Sequence, residues 1–225
     1  KFDRLVSIMA RLRAPGGCPW DREQTHETLR KYLLEETYEV LDAVDSGNWS
    51  HLCEELGDLM LQPVFHASIA AEDGRFTIGD SLDAINEKLI RRHPHIFANA
   101  TAETAEDVKT RWDAIKAEEK RAKGERPTAL LDSIPRALPA LTEAQEIGSK
   151  VAKVGFDWPE TAQVYAKLDE EIGELREARD AAHAEEELGD LLFVAVNLAR
   201  HLNVNAEMAL RKANAKFRKR FGYVE

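Results

Sequence analysis

The chain has 225 residues, 44% of them hydrophobic, and carries 41 acidic against 31 basic residues for a formal charge of -10. Such a composition supports one large core or two small ones and excludes disorder throughout. The acidic balance argues against a long grip on a nucleic-acid backbone, so a small anionic ligand would need local cations or a metal.

Apolar residues recur at spacings of three and four, and no sustained alternation of β-branched and polar residues interrupts them, so the fold is expected to be all-α. The predicted helices run, in order, over Phe2 to Arg13, Thr25 to Asp45, Ser50 to Ala71, Ile78 to Arg92 and Ala105 to Lys123. Pro139 to Ala152, Thr161 to Asp180, Ala184 to Leu202 and Ala206 to Phe221 complete the set. Ala14-Pro-Gly-Gly-Cys-Pro, Ser46-Gly-Asn, Glu72-Asp-Gly-Arg and Arg126-Pro-Thr mark the loops. No apolar run approaches the about 20 residues of a membrane-spanning helix, and Lys1 to Arg13 lacks the apolar centre of a signal peptide. Only Cys18 and Cys53 are present, in no zinc-type spacing, which predicts a reducing, cytoplasmic setting.

Three blocks recur in the same order. Leu33-Leu-Glu-Glu-Thr-Tyr-Glu answers Leu168-Asp-Glu-Glu-Ile-Gly-Glu, and Glu54-Glu-Leu-Gly-Asp-Leu answers Glu186-Glu-Leu-Gly-Asp-Leu. Asn86-Glu-Lys-Leu-Ile-Arg-Arg then matches Asn214-Ala-Lys-Phe-Arg-Lys-Arg. This internal repeat predicts an N-terminal domain over 1–116, a linker over 117–138 and a C-terminal domain over 139–225.

Residues three apart on a helix project from one face, which pairs Glu36 with Glu39, Glu55 with Asp58, Glu171 with Glu174, and Glu187 with Asp190. On a helical wheel Glu36 falls between Leu29 and Ala43, and Glu171 between Val164 and Ala178, inside the arcs that should face a core. The helix following Glu187 and Asp190 is apolar almost all round, the pattern of a buried helix. Carboxylates converging there must be protonated, paired with bases or bound to a cation. A lone Glu-Glu-x-x-Glu is most often a solvated face, but its pairing with Glu-x-x-Asp on the next helix, twice over, favours a hard divalent cation. Oxygen-only ligands suit Mg²⁺, with Mn²⁺ as a substitute, and Mg²⁺ shares its shell readily with substrate phosphates.

In the third block Asn214, Lys216 and Arg220 correspond to Asn86, Lys88 and Arg92, and Lys216 and Arg220 share a helix face. Such a pair could neutralise a polyphosphate, although salt bridging to nearby Glu is the ordinary use of these residues. Trp20 and Trp158 are more economically read as core anchors than as base-stacking platforms, and His93 and His95 as loop histidines. Gly16-Gly17 lacks the Gly-Lys-Ser/Thr of a P-loop.

Cys18-Pro-Trp-Asp, Glu35-Glu-Thr-Tyr-Glu, Glu54-Glu-Leu-Gly-Asp, Arg91-Arg-His-Pro-His-Ile-Phe and Val154-Gly-Phe-Asp-Trp resemble the tandem bacterial MazG proteins over nearly the whole chain. The resemblance implies Mg²⁺-dependent hydrolysis of nucleoside triphosphates to monophosphate and pyrophosphate, broad base tolerance, and a homodimer of helical-bundle domains. It places the metal ligands at Glu171, Glu174, Glu187 and Asp190, and nucleotide contacts at Lys216 and Arg220, with the C-terminal domain as main catalyst. Related chains continue past the position of Glu225 into a tail with further nucleotide contacts, so the second site is expected to be incomplete here. Glu170 or Glu171 is the expected base or orienting group for the attacking water, the two being indistinguishable by sequence. A nucleotide-sensing protein without turnover would use the same carboxylates. A di-iron bundle would require paired Glu-x-x-His motifs, and only Glu23-Gln-Thr-His26 fits.

Overall fold

The computed structural model describes residues 1–98, 101, 104–122 and 129–224. Among them the chain is helical without a strand: α1 (Phe2–Arg13), α2 (Pro19–Glu23), α3 (His26–Ser46), α4 (Trp49–Glu72), α5 (Ile78–Arg92), α6 (Pro94–Phe97), α7 (Ala105–Ala122), α8 (Ala140–Ala152), α9 (Thr161–Arg176), α10 (Ala181–His201) and α11 (Ala206–Phe221). Two compact units form, Lys1–Glu119 and Lys120–Glu225.

In the first unit α3 and α4 pack along each other as a helical hairpin. Thr25 starts α3 with a reciprocal cap, its hydroxyl accepting from Thr28 N–H at 3.2 Å while Thr28 Oγ1 accepts from Thr25 N–H at 2.9 Å. Gly47, in the left-handed region at φ 67, ends α3, and Asn48 immediately caps α4. That tight turn aligns the two helices and needs a residue without Cβ strain. Met9 of α1, Leu29 of α3, and Val64, Phe65 and Ile69 of α4 form the core. Arg13 closes it with a two-toothed pair to Glu72, at 2.6 and 2.7 Å. Pro63 lies inside α4, between its acidic first half and its core-forming second half.

The second unit repeats the hairpin with α9 and α10, and α8 packs on α10 and α11. The buried positions correspond: Gln62, Val64 and Phe65 in α4 answer Val194, Val196 and Asn197 in α10. Asp157 ties the loop before α9 to the end of α10, its carboxylate accepting from both Arg200 and His201. The Arg200 guanidinium holds that carboxyl down to about 2.

The structure departs from the sequence expectation at five places. Helix α9 stops at Arg176, short of Asp180, because Asp180 is the cap of α10, its Oδ1 accepting from His183 N–H at 2.9 Å. A capping residue lies outside the helical backbone, so α10 starts earlier than Ala184. Pro19–Glu23 and Pro94–Phe97, outside the expected helices, are single helical turns opened by proline at the first position. The apolar helix α10 is not enclosed within its own unit among the described residues: Leu188, Leu192 and Phe193 remain 46%, 50% and 37% exposed. Lys123, the expected end of α7, lies outside the described residues.

Candidate carboxylate site

In the first unit Leu29 and Ala43 are both buried, and Glu36 lies seven residues from each on the same inward line of α3. Helix α4 presents Glu55 opposite. Carboxylate oxygens of Glu36, Glu39 and Glu55 all lie within 4.8 Å of one another. Asp58 stands outside this trio and is exposed, but it acts on it electrostatically. Burial, then Asp58, Glu39, Glu55 and Glu35, push the Glu36 carboxyl above its ordinary range. Burial followed by Glu39 raises Glu55 as well, with His51 pulling the other way. Glu55 is 7% exposed, and its Oε2 has no hydrogen-bond partner.

The second unit brings Glu171, Glu187 and Asp190 together within the same 4.8 Å. Glu174 is exposed beside them rather than within the trio; burial raises its carboxyl, as do Glu171, Glu187 and Glu170, against the pull of Lys167. Glu171 is 4% exposed and its Oε2 is again buried without a partner. Its Oε1 takes the Lys167 ammonium at 2.9 Å, and Lys167 also reaches Glu170 at 2.7 Å. Hydrogen bonds to Glu170 and then Glu171 raise the Lys167 ammonium above its usual range. In the first unit the position of Lys167 is held by Tyr32, which packs edge-on against Trp20.

Sequence reading missed Lys167, His51 and His183. Their signal was present: Lys167 stands four residues before Glu171, and His51 and His183 stand four before Glu55 and Glu187 in the two repeats. His51 Nδ1 lies 3.0 Å from Glu55 Oε1, and His183 Nε2 lies 3.0 Å from Glu187 Oε1.

The basic candidates divide. Arg92 is engaged by Glu119, Nη2 to Oε2 at 2.5 Å, with Arg91 at 2.7 Å on the other oxygen, and the two guanidiniums hold the Glu119 carboxyl at about 2. Lys88, Asn214, Lys216 and Arg220 are exposed. None of these residues bonds to either acidic trio among the described residues. Trp20 is half exposed and meets Tyr32 and Phe65 edge-on, at 5.7 and 6.5 Å between centroids. His93 packs edge-on against Trp112 at 5.1 Å.

The donor set suits a hard cation: several carboxylates converge, no thiolate joins them, and one buried oxygen per unit lacks a partner. A Cβ built on Gly57 or Gly189, the glycine between the paired acids of α4 and α10, would meet nothing within 4 Å.

The MazG nucleotide pyrophosphohydrolase domain matches residues 24–97 and again residues 159–224. The chain belongs to the MazG family. Each MazG match contains one acidic trio together with its basic helix. Over 231 residues the chain is 53% identical to the nucleoside triphosphate pyrophosphohydrolase of Escherichia coli K12, covering 100% of this chain and 87% of that protein. It is 50% identical over 224 residues to the nucleoside triphosphate pyrophosphohydrolase/pyrophosphatase MazG of Thermotoga maritima, covering 100% and 85%. The nucleoside triphosphate pyrophosphohydrolase of Mycobacterium tuberculosis shares 45% identity over 153 residues, 67% of this chain. No described helix of this MazG chain is long and apolar enough to cross a membrane.

Proposed function

We propose that this MazG chain hydrolyses nucleoside triphosphates to nucleoside monophosphate and pyrophosphate with Mg²⁺, and that the second unit is the principal site. The supporting observation is the buried Glu171 Oε2, which lacks a hydrogen-bond partner beside Glu187 and Asp190 although Lys167 takes the other oxygen, because a metal ion held by the three carboxylates would satisfy it. Glu171, Glu187 and Asp190 would hold the ion, with Glu174 at the rim; Mn²⁺ could replace Mg²⁺. The bound cation supplies charge for the triphosphate and makes a neighbouring water more acidic.

Of the two candidate bases, both reached by Lys167, Glu171 is buried within the trio whereas Glu170 is exposed, so Glu171 is the better placed to orient or deprotonate the water. The water attacks at the α–β anhydride, and pyrophosphate leaves. Lys216 and Arg220, with Asn214 on the same helix, would offset charge on the leaving oxygens. Both cations lack an ion pair among the described residues, whereas their first-unit counterpart Arg92 is engaged by Glu119. That contrast, with Lys88 left as the free cation of its pair, favours the second unit. The open space at Gly189 gives a substrate room to approach the helix backbone.

The same reading includes broad base tolerance, a cytoplasmic setting and a homodimer without nucleic-acid or membrane partners. Exposed Leu188, Leu192 and Phe193 on α10 support the dimer, since the described residues of the second unit leave this apolar face uncovered. The test is pyrophosphate release from a mixed set of nucleoside triphosphates. We expect pyrophosphate rather than orthophosphate, with at least about a hundredfold loss in Glu171→Ala and Glu174→Ala, as for a removed charge-stabilising group. Unchanged rates would overturn the assignment, and tight Mg²⁺-nucleotide binding without pyrophosphate would turn it into a sensor.

A further inference from the structure

The first turn of α10 holds His183 at both ends of its ring. Asp180 Oδ1 accepts the His183 backbone N–H at 2.9 Å, which sets the residue one turn before Glu187. The ring Nδ1 accepts the Arg179 backbone N–H at 3.3 Å. A ring nitrogen that accepts a hydrogen bond carries no hydrogen, so the ring proton sits on Nε2, the nitrogen 3.0 Å from Glu187 Oε1. Backbone, imidazole and carboxylate thus form one directed chain.

We propose that His183 is a positioning residue for Glu187: a neutral N–H donor that fixes one carboxylate oxygen and leaves the other for the cation. The proposal rests on the metal-binding reading of Glu187 given above. A neutral donor orients a ligating carboxylate without cancelling the charge that the cation needs, a task for which a lysine would be worse suited. Such outer contacts govern how well a flexible carboxylate meets a metal. An ordinary surface pair would sit in solvent, yet the Glu187 side chain is only 14% exposed.

The first unit repeats the helix cap and the contact to the carboxylate, the latter through a different ring atom. Asn48 caps α4 by accepting from His51 N–H at 3.2 Å, and His51 Nδ1 lies 3.0 Å from Glu55 Oε1. The other His51 nitrogen has no hydrogen-bond partner among the described residues. The contact to the carboxylate recurs although the ring atom making it has changed, which points to the contact itself as the shared feature.

Uptake of Mn²⁺ by the nucleotide-free protein, read from the free-ion electron paramagnetic resonance signal, tests the proposal. A Glu36→Gln background isolates the second unit's site. In that background His183→Ala is expected to weaken uptake about tenfold or more at an unchanged melting temperature. His183→Gln, which keeps an N–H donor of similar reach, should recover most of it. If Glu187→Ala weakens uptake but His183→Ala does not, or if His183→Gln fails to recover it, positioning is overturned while the metal reading stands. If the background protein takes up no Mn²⁺, or Glu187→Ala leaves uptake unchanged, the metal reading fails and the proposal with it. A loss of uptake that tracks a fall in melting temperature would give the ring a structural part and also overturn the proposal.

Discussion

Setting Glu36 on the line between Leu29 and Ala43 weakens the folded first unit at neutral pH. Burial, then neighbouring carboxylates, raise its carboxyl above the ordinary value, so the folded state binds this proton more readily than the unfolded chain. The resulting cost is absent where both states are protonated and fully present above the raised value. Glu36→Gln should therefore melt higher than the parent at pH 7 in metal-free buffer. The margin should narrow as the pH falls towards the ordinary glutamate range, and Mg²⁺ should raise the parent's midpoint more than the variant's. Thermal melts by circular dichroism at several pH values check this; a variant less stable at pH 7 would count against it. The inward aim of Glu36 and Glu171 was legible from a seven-residue spacing to apolar neighbours. The parts of Lys167, His51 and His183 were not, because spacing shows that two side chains can meet and not which atoms face which.

At the scale of elements, Gly148 of α8 lies close against the side chains of α10. A Cβ there would stand 2.4 Å from Asn197 Oδ1 and 3.2 Å from Arg200 Nε. Asn197 is 2% exposed and donates to Phe193 O, and Arg200 holds Asp157, so Asn197 cannot shift without straining that bond, nor Arg200 without loosening the loop before α9. Gly148→Ala should destabilise the second unit by about 1–3 kcal/mol, the usual cost of overpacking. Gly189→Ala, with open space around it, should instead gain up to about 1 kcal/mol from helix propensity. Denaturant titration of the two variants separates them, and equal effects would refute the close approach. Most long helices were legible because apolar residues recur along them. The early end of α9 was hidden because Asp180 reads equally as a helix residue or a cap, and α2 and α6 are too short to show a period.

At the scale of the whole molecule, the repeat made two all-helical copies legible, since three blocks recur in order. What covers each copy was not legible, because an all-round apolar helix shows that burial is needed without naming the covering surface. Leu33, Leu34 and Tyr38 of α3 and Leu56 and Met60 of α4 are exposed, as are Leu188, Leu192 and Phe193 of α10. Patches of this kind mark association surfaces. We expect the chain to sediment as a dimer at micromolar concentration and Leu192→Glu to shift it towards monomer, measured by analytical ultracentrifugation; a monomeric parent would remove the proposal.

The proline within α4 gives the two copies different backbone bonding. Pro63 has no N–H for the carbonyl one turn earlier, so the hydrogen-bond ladder skips a rung between the half bearing Glu55 and the half anchored by Val64, Phe65 and Ile69. Ala195 stands at the matching place in α10 and keeps that ladder whole. One copy therefore carries Glu55 and Asp58 on a helix that lacks one backbone hydrogen bond, and the other carries Glu187 and Asp190 on a helix whose matching residue can still donate.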